Sequence, residues 1–189
     1  MKSSENSWVL ITGASSGFGK EFSRQYAAQG RSLILVARRL NELETLADEL
    51  RQRYGIDVLV QQADLSSINA IIDLHRYLHD RNIVVDVLIN NAGGSPAADA
   101  ATVSPRFHEG VIRLNLLAPL NLAQAANAVM QQQADGGVIV FIGSISALRP
   151  SPGTAAYGAA KAAVLSLVSS LAVEWAPKVR VVAVSPGLV

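Results

Sequence analysis

The stretch Trp8–Gly19 reads WVLITGASSGFG, and it decides the fold. An apolar run typical of a buried strand is followed at once by glycines in the spacing Gly-x-x-x-Gly-x-Gly, and a helical pattern begins at Gly17. A strand, a glycine-rich turn and a helix in this order are the opening unit of a βαβ fold.

The same alternation of apolar runs and helical patterns continues to the end of the chain. The predicted strands are Trp8–Ile11, Leu33–Val36, Val58–Val60, Val85–Ile89, Val138–Ile142 and Val179–Val184. The predicted helices are Gly17–Gln29, Asn41–Tyr54, Ser67–Arg81, Pro105–Gln132 and Ala155–Ala176. Strands this apolar are typical of a parallel sheet buried on both faces, and right-handed crossovers then place helices on both sides. The sequence therefore predicts a doubly wound, three-layer α/β/α fold.

Composition indicates one domain, residues 1–189, with 50% hydrophobic residues. The net charge is +1 with scattered basic residues, so we expect no nucleic-acid surface. There are no cysteines and no apolar leader at the N-terminus, and the longest uncharged run, 114–134, is interrupted by Pro119. We expect no membrane span and a cytoplasmic location.

The glycine-rich turn is a candidate phosphate site because it joins a strand to a helix. Glycines at 13, 17 and 19 let the backbone approach a pyrophosphate, and the helix N-terminus presents free N–H groups. Ser15, Ser16 and Phe18 lie between these glycines. An ordinary tight turn is the alternative interpretation. We predict that this turn binds a dinucleotide.

A second motif, Tyr157-Gly158-Ala159-Ala160-Lys161, places a phenol and an ammonium four residues apart. Residues i and i+4 share a helix face, and a nearby positive charge favours the phenolate form of tyrosine. Tyr157 is therefore a candidate general acid and base. Ser144, at the end of the fifth predicted strand, is a candidate hydrogen-bond donor to a substrate oxygen. Ser146 is the competing candidate.

Together these motifs resemble the short-chain dehydrogenase/reductase family, single-domain branch, over nearly the whole chain. The family signature Thr-Gly-x-x-x-Gly-x-Gly matches at Thr12, and Asn90-Asn91-Ala92-Gly93 is similar to its Asn-Asn-Ala-Gly element. Ser144 lies 13 residues before Tyr157, as in the family, and Pro186-Gly187 follows the sixth strand.

The resemblance implies a Rossmann fold and an oxidoreductase that interconverts a ketone or aldehyde with an alcohol by hydride transfer. It implies that Asn115, Ser144, Tyr157 and Lys161 are catalytic, with Lys161 also binding ribose hydroxyls. It further implies that Asp64 and Leu65 lie beside the adenine, and that Asn91, Ala92, Gly93, Pro186, Gly187 and Val189 contact the cofactor. Family members pair two helices with a twin subunit, which implies a homodimer or homotetramer.

The end of the second strand predicts which cofactor binds. NAD sites place an acid there for the ribose 2′-hydroxyl, whereas NADP sites use arginine for the 2′-phosphate. Here the chain reads Ala37-Arg38-Arg39, and a guanidinium suits a phosphate. We expect NADP(H) rather than NAD(H), with Ser15 or Ser16 as added contacts. Alternatively, Arg38 and Arg39 simply begin a solvated helix.

No metal site is expected, because His75 and His79 share a helix face without an evident third ligand.

The sequence does not identify the substrate, which is either a carrier-bound β-ketoacyl group or a lipophilic ketone. Family members continue beyond Pro-Gly into a seventh strand, so we expect a chain of 189 residues to lack that strand. A noncatalytic NADP-binding fragment, truncated or constructed, is the alternative function. Most of the charged residues lie at or before Asp86. A chain recombined from two parent proteins is therefore a further alternative.

Overall fold

A computed structural model describes residues 7–187 and contains one six-stranded parallel sheet. The strands are β1 Ser7–Thr12, β2 Ser32–Ala37, β3 Val58–Gln62, β4 Val84–Asn90, β5 Gly137–Ile142 and β6 Val179–Val184. The helices are α1 Gly17–Ala28, α2 Leu40–Tyr54, α3 Ile68–Asp80, α4 Pro105–Ile112, α5 Ala118–Met130 and α6 Ala155–Glu174. All predicted strands and helices are present, with ends that differ by one or two residues, except that the fourth predicted helix is divided.

The strand order is β3-β2-β1-β4-β5-β6, and every neighbouring pair is parallel. The chain winds outward from β1 to β3, then returns and winds the other way from β4 to β6. The order therefore reverses between β1 and β4. In doubly wound sheets the crevice outside the carboxyl ends of the strands at this point is where ligands bind.

Alternate side chains of each strand build a core on each face of the sheet. Leu10, Leu88 and Ile139 pack with α3, α5 and α6 on one face. Val9, Ile11 and further strand residues pack on the other face with α1 and α2. The apolar stripe of α2 is buried there, consisting of Leu43, Leu46, Ala47 and Leu50. The predicted three-layer arrangement is confirmed.

The prediction of one continuous α-helix over Pro105–Gln132 was wrong. Its middle, Arg113–Leu117, is a π-helical segment between α4 and α5. Two features account for the interruption. Pro119 has no N–H to donate to the preceding turn, and the side chain of Asn115 donates to the Val111 carbonyl within the same helix. π-helical segments inside α-helices frequently occur at functional sites.

Helix α6 has the length and composition of a membrane-crossing segment, with 20 residues and a mean hydropathy of 1.5. Its Val164, Val168 and Leu171 are buried against the sheet, as in the core helix of a globular domain, which meets the same two criteria. We therefore assign α6 to the core of this fold.

The outer strand β6 is apolar, and within residues 7–187 it pairs only with β5. Val179 and Val181 are buried beneath α6, whereas Val182 and Val184 are 45% and 49% exposed on the opposite face. An exposed apolar edge strand presents unpaired N–H and C=O groups to other chains.

We expect a polypeptide of these 189 residues to associate heterogeneously through β6. Val182→Lys places a charge on the exposed face of the edge and should lower the mass measured by light scattering, because charged side chains prevent pairing of sheet edges. Leu40→Lys, at an exposed position of α2, is the control and should leave the mass unchanged. A small, uniform oligomer that Val182→Lys does not alter would contradict this expectation.

Candidate active site

A cavity of about 560 Å³ opens at the carboxyl ends of the strands, over the point where the strand order reverses. It extends from Arg38 and Asp64, which follow β2 and β3, to Ser144, Tyr157 and Lys161 on the other half of the sheet. The predicted phosphate-binding residues and the predicted catalytic residues therefore line one continuous cavity.

The glycine-rich turn forms the floor at the centre of this cavity. Gly13 and Gly17 have positive φ angles of 66° and 52°, and a Cβ at Gly17 would face open space. A Cβ at Gly19 would overlap the carbonyl oxygen of Gly13 and lie 2.6 Å from Nδ2 of Asn91, so only glycine fits. Of the predicted contacts in this turn, Gly13, Ser15, Ser16 and Phe18 line the cavity, whereas Gly17 and Gly19 shape the turn.

Thr12 holds the glycine-rich turn against the loop after β4. Its Oγ1 accepts hydrogen bonds from the backbone N–H groups of Asn91 and Ala92, both at 2.9 Å, and donates to the carbonyl of Ile89 at 3.2 Å. The Asn91 side chain returns a bond from Nδ2 to the Thr12 carbonyl at 2.9 Å. Sequence reasoning used Thr12 only as part of a motif and did not assign it a role.

Asn115 is fully buried behind the cavity wall and does not line the cavity. Its Oδ1 accepts from the N–H of Gly94 at 2.8 Å, and its Nδ2 donates to the Gly94 carbonyl at 2.9 Å. A Cβ at Gly93 would lie 2.7 Å from Asn115 Oδ1 and 3.4 Å from Lys161 Nζ. The side chain of Asn115 therefore fixes the loop after β4, and Gly93 leaves room for both neighbours.

Tyr157 and Lys161 lie on the first turns of α6, as their spacing predicts. The Nζ of Lys161 is 5.6 Å from the centre of the Tyr157 ring and donates a hydrogen bond of 2.7 Å to the Ile142 carbonyl. Lys161 is only 5% exposed, and burial lowers its pKa from 10.5 to about 8. At neutral pH it thus remains a cation beside the tyrosine ring.

Ser144 follows β5 and caps a short 3-10 turn, Ile145–Ala147. Its Oγ accepts a hydrogen bond of 3.1 Å from the backbone N–H of Ser146. Because that bond occupies an acceptor position, the hydroxyl hydrogen of Ser144 stays available for donation. Ser144 lines the cavity with Tyr157, whereas Ser146 lines a separate groove beside Pro150.

The ends of β2 and β3 form the other extreme of the cavity. Arg39 donates from Nη2 to the Ser15 hydroxyl at 3.1 Å, and the Arg38 carbonyl accepts from Gln62 at 2.9 Å. The pKa of Asp64 is lowered chiefly by hydrogen bonds from Ser66, with a smaller contribution from the positive charge of Arg38. Two guanidinium groups and one carboxylate therefore surround this end.

The remaining predicted contacts are distributed along the cavity. Leu65, Asn91, Ala92, Gly93, Pro186 and Gly187 all line it, and Val189 lies outside the described residues. Sequence reasoning missed six further lining residues, since they are small or apolar and carry no chemical signal: Ala37, Ala63, Gly94, Leu114, Ile142 and Gly143.

Residues 7–187 contain no group of three or more histidine, aspartate or glutamate residues that could hold a metal ion. His75 and His79 flank an apolar cavity of about 260 Å³ between α3 and α5. The Nδ1 atom of His79 lies 3.4 Å from Oδ1 of Asp80, and the side chain of His79 is largely exposed. The interpretation of this pair as a solvated helix face stays a prediction.

The donors in the cavity fit a phosphorylated dinucleotide. The side chain of Ser16, the N-cap of α1, makes no capping bond in the described part of the chain, so N–H groups at this helix start are free for an anion. Arg38 and Arg39 supply charge at one end, and Lys161 supplies a cation at the other.

A doubly wound sheet with a glycine-rich turn at its switch point, and serine, tyrosine and lysine across the crevice, defines a nucleotide-dependent oxidoreductase fold. The family model for short chain dehydrogenases matches residues 7–189. The chain belongs to this family of oxidoreductases.

Individual relatives agree with this assignment. The chain is 37% identical over 184 residues to an uncharacterized oxidoreductase of Mycobacterium tuberculosis, covering 96% of this chain and 72% of the relative. A bulky-bulky ketone specific alcohol dehydrogenase from Comamonas testosteroni superposes with a TM-score of 0.89 at 35% identity. The match covers 95% of this chain and 72% of that protein. A short-chain dehydrogenase from Sphingobium yanoikuyae in complex with NADPH superposes with a TM-score of 0.89 at 37% identity. The match covers 95% of this chain and 70% of that protein.

We expect Thr12→Val to destabilise the fold by about 1–3 kcal/mol, because the Ala92 N–H loses its side-chain acceptor and the Asn91 N–H keeps only the Ile89 carbonyl, at a nearly isosteric site that is 1% exposed. Urea unfolding measures this change. Thr45→Val is the control, since that hydroxyl is exposed and bonds only within α2, and it should alter stability little. Equal effects of the two substitutions would show that the contacts of Thr12 do not stabilise the fold.

Proposed function

We propose that the protein is an NADP(H)-dependent oxidoreductase that interconverts a ketone or aldehyde with the corresponding alcohol. The observation that carries this proposal is the position of Ser144, Tyr157 and Lys161 on one wall of a cavity whose other end holds Arg38 and Arg39. The nicotinamide cofactor, when bound, supplies the hydride for the carbonyl carbon. The protein must then supply a proton, orient the oxygen and bind the phosphates.

Tyr157 is proposed to donate the proton to the carbonyl oxygen during reduction and to accept it during alcohol oxidation. Its ring lies at the cavity surface, 5.6 Å from the buried ammonium of Lys161. The Ile142 carbonyl holds that ammonium in place. The position of Lys161 on the cavity wall suits binding of ribose hydroxyls.

Ser144 is proposed to donate a hydrogen bond to the same oxygen and to stabilise the charge that develops on it. The bond that its Oγ accepts from the Ser146 N–H supports this direction of donation. Asn115 is proposed to act indirectly, because its side-chain amide is bonded to Gly94 and Val111 rather than directed into the cavity.

Preference for NADP(H) over NAD(H) is proposed from the residues that follow β2. Ala37 stands where NAD-specific sites have an acid, and Arg38 and Arg39 offer two guanidinium groups for a 2′-phosphate. The hydrogen bond from Arg39 to Ser15 places one of these groups beside the glycine-rich turn. The NADPH complex of the Sphingobium yanoikuyae relative supports the same cofactor class.

The proposed partners are a small carbonyl or alcohol substrate and a second copy of the chain, as a homodimer or homotetramer. Residues 1–189 are proposed to act as a single cofactor-binding and catalytic domain. No nucleic-acid partner or membrane span is expected. The absence of cysteines supports, as an expectation, a reducing cytoplasmic location.

Tyr157→Phe tests the proposed proton donor. We expect NADPH-dependent ketone reduction to fall by at least about 100-fold, with NADPH affinity nearly unchanged, because only the hydroxyl is removed. Turnover is followed by NADPH absorbance and binding by fluorescence. Retained turnover would exclude Tyr157 as the acid. A wild-type chain that binds NADPH but reduces no ketone would favour a noncatalytic NADP-binding protein instead.

Arg38→Ala tests the choice of cofactor. Loss of a charged hydrogen bond should weaken NADPH binding by about 1–3 kcal/mol and leave NADH binding almost unchanged. The difference should diminish at high salt, since the lost interaction is between exposed charges. Arg53→Ala, on α2 beside Tyr54 and away from the cavity, is the control. Equal weakening of both cofactors would show that Arg38 has a structural role.

A further inference from the structure

The cavity of about 260 Å³ between α3 and α5 has no part in the proposed reaction. It reaches Val84, where β4 begins, whereas the active-site cavity opens where β4 ends. The two cavities share no lining residue. A molecule in the cavity between α3 and α5 would therefore not occupy the position of a dinucleotide or of a substrate beside Tyr157.

The floor of this cavity is apolar and buried. It includes four leucines from two strands and two helices: Leu10, Leu74, Leu88 and Leu122. Protein interiors are close-packed, and gaps much larger than a water molecule are few. An apolar cavity of about 150 Å³ lined by such side chains stays dry and binds benzene. The larger cavity here accommodates an apolar body roughly the size of naphthalene.

Polar side chains lie at the rim of the cavity. His75 and His79 lie on the last turns of α3, Asn82 follows that helix, and all three residues are exposed. A neutral imidazole and a side-chain amide each offer both a hydrogen-bond donor and an acceptor. The rim can therefore bond a hydroxyl or a carbonyl group on a ligand whose apolar part lies on the floor.

The charges near this rim are already engaged within the chain. Asp73 pairs with Arg76 at 3.0 Å, and Asp80 Oδ1 lies 3.4 Å from His79 Nδ1. The guanidinium of Arg81 lies 4.0 Å from the centre of an aromatic ring of α3. Within residues 7–187, no acidic residue lines the cavity. The rim thus complements a polar group without charge better than an anion or a cation.

We propose that the cavity between α3 and α5 is a second binding site, which takes an uncharged molecule with an apolar body and one hydroxyl or carbonyl group. The body packs on the leucines, and the polar group bonds to His75, His79 or Asn82. A charged group in the same place loses part of its hydration without gaining an opposite charge. This inference does not depend on the proposed function, because it concerns a separate cavity.

The test measures binding of 1-naphthol to the whole chain by isothermal titration calorimetry. We expect saturable binding with a Kd below about 1 mM, which is within reach of a ligand of this size. The same rings carrying a carboxylate, as 1-naphthoate, or an ammonium, as 1-naphthylmethylammonium, should bind at least about tenfold more weakly. Saturating NADPH should leave the Kd of 1-naphthol unchanged.

Two variants locate the bound molecule. Ala126→Phe places a ring in the cavity and should weaken 1-naphthol binding at least about tenfold, whereas Ala128→Phe, exposed on the same helix and outside the cavity, is the matched control and should not. Asn82→Gly removes a rim group and should weaken binding about threefold, the size of one exposed hydrogen bond. Glycine adopts the positive φ of 51° at this position, so this second variant keeps the fold if Ala126→Phe does not.

Four results would overturn the inference. They are an absence of saturable binding, equal or tighter binding of either charged analogue, loss of binding in NADPH, and binding that neither Ala126→Phe nor Asn82→Gly weakens. If 1-naphthol does not bind and Ala126→Phe lowers the mass measured by light scattering, the cavity is a contact between copies of the chain instead. None of these results bears on the roles proposed for Ser144, Tyr157 and Lys161.

Discussion

The side-chain hydroxyl of Thr12 is the contact on which the whole site depends. It lies where β1 and β4 end side by side and their following loops separate, which is where the crevice opens. By accepting from Asn91 and Ala92 and donating to Ile89, one hydroxyl links three backbone groups at the end of β4 to the end of β1. The glycine-rich turn and the loop after β4 are thereby joined. Because Asn115 then fixes Gly94 of that loop, the same loop also connects the glycine-rich turn with the π-helical segment Arg113–Leu117.

Burial of Lys161 shows that the site is assembled at some cost to stability. Desolvation lowers its folded-state pKa to about 8, whereas an unfolded lysine titrates near 10.4. Between these two values the folded chain binds fewer protons than the unfolded chain, so the contribution of this group to stability rises with pH across that window. At neutral pH the buried ammonium is unfavourable for folding and is only partly offset by the Ile142 carbonyl. A destabilising cation retained beside Tyr157 is typical of a functional site.

The sequence predicted most of the fold because the strands and helices are continuous apolar or amphipathic segments. The spacing of the glycines also marks where the backbone can come close to a bound ligand. The residues predicted to be catalytic or to contact the cofactor all line the cavity before residue 188, except Asn115, Gly17 and Gly19. Tertiary contacts could not be predicted in the same way. The π-helical segment at Arg113–Leu117 contains Asn115, whose side chain bonds both to Val111 and to the loop at Gly94. The bond that Ser144 accepts from Ser146 comes from a backbone N–H. The contact of Arg39 with Ser15 joins residues on separate strand ends.

Charge is divided between the two ends of the cavity, and this division separates cofactor recognition from chemistry. Arg38, Arg39 and Asp64 lie on the exposed outer half of the sheet, where water and salt screen their interactions and one exposed bond changes affinity modestly. Lys161 lies in the interior, 5% exposed, with its Nζ 5.6 Å from the centre of the Tyr157 ring. Under the proposed function, substitutions at the outer end are expected to change which dinucleotide binds and to leave the surroundings of Tyr157 intact. The reverse holds for substitutions near Lys161, so the two properties can vary independently within one fold.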